Sequence, residues 1–509
     1  METLFLFILL GLTTYYIISR GVTKITTTPP WMLWLVLMTP AISLTLWTLV
    51  YGEGRTMPTP LVLGLFIFSP VCYWLLVEAG RKDKSPQVGQ VDPVATKTAP
   101  ENPPTPAPLR PITKEEEIKL RECFPWGIYY LQSVEYFPQA MVCRGKLRTN
   151  PDRAYQTINQ NIKNLFGDRF YIIFQETAQG SPVFTLAPNP YTQNSRSSQD
   201  SANSANSTTS HDSKKSSEPF SHPLLALTLF FCTLFTTTAI GAEFVGLSTK
   251  EIQNNPALLL QGLPYALPLL TILSIHELAH YFTTRHYQIP STLPYFIPIP
   301  FFLGTLGAFI QRRSPPPHRK ALFDLGIAGS VAGLIVTLPL LLWGLKHSRV
   351  VPLSDVSNLI NFESLNPRFS LLLTLLAKFS LGENFGVNTV ISLHPVAIAA
   401  YVGLIFITFN LIPLGQLDGG QIVHGMFGQK TAGAIGQVTR LIILFIALIQ
   451  RELLIWAILL FFIPTSDQPA LNDVSELDNR RDFIGLVALG FLAMMIVPVP
   501  GVITRLLNI

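Results

Sequence analysis

Apolar residues in this chain fall into long unbroken blocks, not into the alternation of a half-buried strand or the heptads of a coiled coil. A helix needs roughly 20 residues to cross a hydrocarbon core. By that measure the blocks at about 3–19, 31–50, 59–79, 223–243, 263–286, 321–345, 394–413, 433–449, 452–464 and 484–504 predict about ten helical spans. The block at 452–464 is short, which favours a tilted or dipping segment. Residues 290–310 are apolar too, but Pro294, Pro298, Pro300, Gly304 and Gly307 break the run, so it cannot be an ordinary spanning helix. Two forms fit it. One is a re-entrant loop or hairpin whose extended edge can pair with an unwound strand; the other is a plain interfacial loop.

Polar sequence separates the first three blocks from the rest. Residues 81–113 are Pro-rich and predict an extended, semi-rigid linker. In residues 114–190, Ile128 to Val142 and Phe170 to Gln175 have strand composition, and Asp152 to Leu165 reads as a helix starting behind Pro151, which together predict a small α+β domain. Residues 191–220, rich in Ser, Asn and Thr, predict a flexible tether. The expected architecture is a polytopic α-helical membrane protein with a small α+β soluble insert. Its parts are a membrane region (1–80), the linker, the insert, the tether, a membrane core (221–430) and C-terminal spans (431–509).

Composition agrees with this picture. Of 509 residues, 48% are hydrophobic and 13% charged, too apolar a balance for a soluble enzyme. The net charge of +5, without a basic stripe interleaved with aromatics, favours anionic lipid headgroups over nucleic acid. Cys72 and Cys232 sit in apolar runs and Cys123 and Cys143 in the insert, with no CxxC spacing, so they read as free thiols. A redox pair of Cys123 with Cys143 is the alternative.

The chemistry is concentrated at His-Glu-Leu-Ala-His, residues 276–280, inside an apolar block. On a helix His276 and His280 project one turn apart from one face, which suits two imidazole ligands of a tetrahedral Zn²⁺. Glu277 then stands beside the metal, where a general base can take a proton from water that the metal acidifies. The pattern also occurs by chance, and buried histidines can be purely structural. Three ionisable residues in five positions of a membrane helix would then each cost roughly 2.5 kcal/mol or more unpaired. A third ligand must come from another segment. Asp418 is the candidate carboxylate: it ends the apolar run from Val396 to Phe409, among Pro413, Gly415, Gly419 and Gly420, whose freed backbone is tolerated at that depth only when buried or lining a wet cavity. An ordinary N-cap or turn aspartate is the other reading of Asp418. His286 sits where a longer histidine motif has its third ligand, but on a continuing helix it points away from His280. His424 and Glu383 default to surface residues.

His276-Glu277-Leu278-Ala279-His280 together with Asn410-x-x-Pro413-x-x-x-Leu417-Asp418-Gly419 resembles the site-2 protease family of intramembrane zinc metalloproteases. The resemblance covers roughly residues 220–430, where Gly326-x-x-Gly329-Ser330-x-x-Gly333 is similar to the small-residue segment of that family's middle core helix. It implies that His276, His280 and Asp418 hold one zinc ion, that Glu277 is the general base, and that Asn410 helps polarise the scissile carbonyl; an interhelical hydrogen bond is the other reading of Asn410. The substrates implied are membrane-anchored proteins cut within a transmembrane segment. Phe124-Pro125-Trp126-Gly127, Arg144-Gly145-Lys146-Leu147-Arg148 and Phe166-Gly167-Asp168-Arg169-Phe170 resemble the soluble domain of the cyanobacterial and chloroplast subgroup, with Lys146 departing from the Asn of the plant members. A zinc transporter or a non-proteolytic scaffold would also place His and Asp in the bilayer, but neither needs Glu277. Arg20, Lys24, Arg81, Lys82, Lys84, Arg312, Arg313, Arg319 and Lys320 all fall inside if the N-terminus is outside, which puts the site near the cytoplasmic face. Met-Glu-Thr-Leu-Phe at the start lacks the character of a transit peptide, so the expected location is a cyanobacterial plasma or thylakoid membrane.

Overall fold

The computed structural model describes residues 28–51, 112–189, 223–352, 370–382, 389–449, 454–465 and 467–506, apart from 138, 139, 178, 179, 248, 301 and 302, together with 364, 365 and a few residues between 15 and 76. Most of the predicted spans at 3–19 and 59–79, nearly all of the linker and the whole tether lie outside the described residues, as does Glu383. The chain forms two compact units, Met1–Pro104 and Thr105–Ile509. In the first, helix α1 (Pro30–Tyr51) contains Pro40 and accepts a 2.7 Å hydrogen bond from the Ser69 hydroxyl at the Val36 carbonyl.

The second unit begins with the α+β insert. Helix α2 (Lys114–Glu122) starts at a capping box: the Glu116 amide donates to the Thr113 hydroxyl while the Glu116 carboxylate accepts from the Thr113 amide. Strands β1 (Tyr129–Phe137) and β2 (Ala140–Leu147) form a hairpin, helix α3 (Pro151–Phe166) follows, and β3 (Phe170–Glu176) and β4 (Pro182–Pro188) complete an antiparallel sheet of order β1-β2-β4-β3. Helix α3 begins where Asn150 caps it and Pro151 supplies a preset φ, and it buries Ala154, Ile158 and Ile162 along one stripe. The core is aromatic: Phe174 stacks on Phe184 at 4.2 Å, and Tyr129 meets Phe184 edge-on at 5.0 Å. Gly145 has a packing reason, since a Cβ there would lie 2.2 Å from the Tyr130 carbonyl oxygen across the hairpin. The stretch of strand composition over 128–142 is divided between β1 and β2, and α2 and β4 are additional elements.

The remainder is predominantly helical: α4 (Pro223–Phe244), α5 (Leu263–His286), α6 (Arg319–Lys346), α7 (Leu371–Leu381), α8 (Pro395–Asn410), α9 (Asp418–Phe427), α10 (Gln429–Ile449), α11 (Leu454–Phe462) and α12 (Asn479–Ile496). Among the described residues, four helical stretches are long and apolar enough to cross a membrane: Pro223–Phe244, Pro256–His286, Arg319–Lys346 and Gln429–Ala447. Helix α8 is shorter than its apolar block because the chain turns after Asn410, and α11 has only 9 residues. Helix α6 is central and packs on α5, α8 and α9. Residues 290–310 take the hairpin form: β5 (Tyr295–Pro298) pairs antiparallel with β6 (Thr305–Phe309). Its tip is fixed to the helices, as the Thr236 hydroxyl donates to the Gly304 carbonyl at 2.7 Å and Tyr265 to the Leu303 carbonyl at 3.0 Å. Gly304, at φ 80°, lies so close to α4 that a Cβ would sit 2.6 Å from the Thr237 Cα.

Candidate metal centre

Helix α5 carries His276 and His280 one turn apart, facing α6, where Gly329 makes room for the His280 ring, Gly326 for the Asp418 turn and Gly333 chiefly for Ile407. A Cβ at Gly329 would lie 2.1 Å from His280 Nε2, one at Gly333 3.4 Å from His276 Nδ1, and one at Gly326 2.7 Å from the Asp418 carbonyl oxygen. The stripe that reads in sequence as close helix packing is therefore the floor on which the histidines and the Asp418 turn rest.

The turn itself is built by Pro and Gly. After α8 the chain makes a tight bend at Ile412–Leu414, where the Leu414 amide reaches the Ile412 carbonyl at 2.7 Å. Gly415 adopts φ 50°, and Gly419 lies against the Leu411 carbonyl with no room for a side chain. Asp418 is the first residue of α9; its N-cap is Leu417, which makes no side-chain cap bond. The carboxylate of Asp418 does not cap its own helix. It points across to α5 and α6 instead, where Ser330 Oγ donates to Oδ2 at 2.9 Å. Sequence reasoning missed that role of Ser330, although the residue lies within the glycine motif.

His276 Nε2, His280 Nε2 and the Asp418 carboxylate converge. The two Nε2 atoms are 3.2 Å apart, His280 Nε2 lies 3.3 Å from Asp418 Oδ1, and His276 Nε2 lies 3.6 Å from Asp418 Oδ2. Bonds of about 2.0–2.1 Å to a tetrahedral ion require donor separations of roughly 3.3–3.4 Å. The donor triangle is that of one face of such a tetrahedron, so these residues fit a zinc-sized ion. His276 and Asp418 are buried and the His280 side chain is 12% exposed, and no other group of three or more His, Cys, Asp or Glu among the described residues is arranged to hold a metal.

Glu277, also buried, and Asn410 line the same cavity as the three donors, together with Arg312, Gln416 and Gln421; its volume is about 250 Å³. Glu277 and Asn410 also border an apolar chamber of about 490 Å³ walled by Ile272, Leu306, Phe406 and Leu459. Strand β6 runs along both, contributing Ala308 to each. The arrangement can seat an extended apolar peptide beside a metal, a carboxylate and a carboxamide.

Other expectations sort differently. His286 is exposed at the end of α5, away from the donors. His424 is not a surface residue: it is fully buried on α9, with Nε2 2.8 Å from the Asp473 carboxylate. The default fails because its partner lies 49 residues away in sequence. Cys123 and Cys143 are both buried and free. Burial pushes the Cys143 thiol up to about 12.

Together, the lipid-length helices and an HExxH pair completed by a carboxylate from a separate segment define a helical membrane protein with a metal-competent hydrolase-type site. Residues 264–449 match the model of peptidase family M50, and residues 118–194 match that of the EGY3 middle domain. It is 26% identical over 389 residues to "Probable zinc metalloprotease EGY2, chloroplastic" of Oryza sativa subsp. indica, covering 75% of this chain and 66% of the relative. The protein of the same name from Arabidopsis thaliana is 27% identical over 390 residues, 76% of this chain and 65% of the relative. "Probable zinc metalloprotease EGY1, chloroplastic" of Arabidopsis thaliana is 33% identical over 240 residues, 47% of this chain and 43% of the relative. The chain thus spans just under two thirds of the length of the EGY2 relatives. No solved structure matches the chain.

Proposed function

We propose that this protein is a zinc-dependent endopeptidase that cuts membrane-anchored proteins within or at the edge of a transmembrane segment. The observation that carries the reading is the donor triangle of His276, His280 and Asp418, with Glu277 beside it, at the wall of an apolar chamber. Zinc held there would supply Lewis acidity, polarising a peptide carbonyl and acidifying water. The chain's own residues do the rest. Glu277 takes the proton from the attacking water and passes it to the leaving amide nitrogen. Asn410, which lines the same cavity, donates to the carbonyl oxygen as charge develops. Ser330 holds the Asp418 carboxylate in place. The edge of β6 offers backbone groups to an unwound substrate strand, because a peptide in helical form keeps its carbonyls hydrogen-bonded.

The same reading keeps about ten spans in the full chain, a soluble domain over 114–190 and a membrane core over 221–430. It places the site near the cytoplasmic face of a cyanobacterial plasma or thylakoid membrane. Basic residues after the α5 and hairpin region support that orientation. The test is Glu277→Gln in the full chain: zinc content and helix content should match the unaltered protein while cleavage of a single-span substrate is lost. Turnover by that variant at a rate near the unaltered protein's would overturn the assigned base.

A further inference from the structure

Past the His276–His280–Asp418 cluster, the β5–β6 ladder continues toward the polar end of the site, with an antiparallel bridge between Ser291 and Arg312 and a bond from the Thr292 amide to the Gln311 carbonyl. Arg312 lies where two spaces meet. It lines the metal cavity, and it lines an outer polar cavity of about 370 Å³ together with Arg313, Gln416, Asp467 and Gln468. Its guanidinium makes no hydrogen bond and no ion pair within 4.0 Å among the described residues. Asp467 lies across the outer cavity and within electrostatic range, yet its Oδ2 is buried without a hydrogen-bond partner. A guanidinium and a carboxylate thus face one shared space without closing on each other. Arginine presents a rigid fork of donors suited to a carboxylate, and leaving that fork unfilled in a half-buried position has a desolvation cost that an anionic ligand removes.

Side chains along an extended strand repeat every two residues, about 6.6–6.8 Å. Arg312 therefore stands about one such repeat beyond Ile310, which borders the metal cavity. A peptide added along the free edge of β6, with its apolar part in the large chamber, would carry its polar flank past Arg312. We propose that Arg312 is a specificity-determining residue that binds an Asp or Glu side chain of the substrate, one to three residues to the polar side of the scissile bond. The proposal rests on the endopeptidase reading.

The test uses the full chain in lipid nanodiscs and single-span synthetic peptides that differ only by Glu, Gln or Lys at each of three polar-flank positions. The quantities compared are kcat/KM for cleavage and, independently, the affinity of the Glu277→Gln protein for fluorescent versions of the peptides. At one position the Glu peptide should exceed the Gln peptide by about tenfold, the worth of a hydrogen bond to a charged group. Arg312→Gln should bring that ratio to about one, and Arg312→Glu should reverse it in favour of the Lys peptide. An unchanged ratio in Arg312→Gln, or no preference at any position, overturns the proposal. If no peptide is cut but binding by the Glu277→Gln protein shows the Glu preference and loses it on Arg312→Gln, the anion site stands and the protease reading falls.

Discussion

Gly329→Ala should destroy the metal site while leaving the fold recognisable. The added Cβ would lie 2.1 Å from His280 Nε2, 2.6 Å from Cδ2 and 2.7 Å from Cε1, where an ordinary contact begins near 3.4 Å. Relief needs about 1.3 Å of movement, the difference between those limits. Overpacking of one methyl costs about 1–3 kcal/mol, which a membrane bundle can absorb by moving α6 or the imidazole. Zinc coordination cannot absorb it, because ligand distances are held to within about 0.2 Å, and a misplacement of about 1 Å costs on the order of 10²-fold in rate. The assay pairs zinc per chain, by elemental analysis of the purified protein, with turnover of a single-span substrate. Size-exclusion behaviour and far-ultraviolet circular dichroism report the fold. Gly433→Ala is the control, since a Cβ there meets nothing within 4 Å on a helix. Stoichiometric zinc and turnover within about twofold of the unaltered protein in Gly329→Ala would refute the reasoning.

Other outcomes follow from the same geometry. Ser330→Ala removes the 2.9 Å bond to Asp418 Oδ2 and should weaken zinc binding by about 10–100-fold, read by competition with a chromogenic chelator; unchanged affinity would mean the bond positions nothing. Cys143 is a fully buried residue of β2, and burial, the largest cause, pushes its thiol up to about 12. Burial disfavours the thiolate, so the proton stays on until pH approaches that value. Alkylation of Cys143 in the folded protein should therefore be slow at pH 8 and reach the free-thiol rate only on denaturation, followed by mass spectrometry. Rapid labelling at pH 8 without unfolding would contradict the packing.

The parts of the site legible in the sequence were those whose residue type and local spacing carry the chemistry. His276, Glu277 and His280 lie within five positions, and Asp418 and Asn410 stand out because Pro413, Gly415 and Gly419 break a helix that lipid would otherwise keep intact. What could not be read were pairings that only the tertiary fold creates. Ser330 meets Asp418 across 88 residues, and His424 meets Asp473 across 49. Gly329 reads as an ordinary small packing residue until the histidine beneath it is placed. In the insert, Tyr, Val and Phe before Pro138 and Met141-Val142 after it give one stretch of strand composition where the chain forms β1 and β2, and β4 is disguised by the prolines at its two ends. The hairpin of residues 290–310 was one of two forms consistent with its prolines; its anchoring to Thr236 and Tyr265 selects it.

Zinc K-edge X-ray absorption on the purified full chain addresses the centre of this account most directly. The spectrum should fit one zinc per chain with two imidazole nitrogens at about 2.0–2.1 Å, a carboxylate oxygen and no sulfur, and Asp418→Ala should lose the metal or the carboxylate contribution. A sulfur-ligated zinc, or an unchanged spectrum in Asp418→Ala, would contradict it.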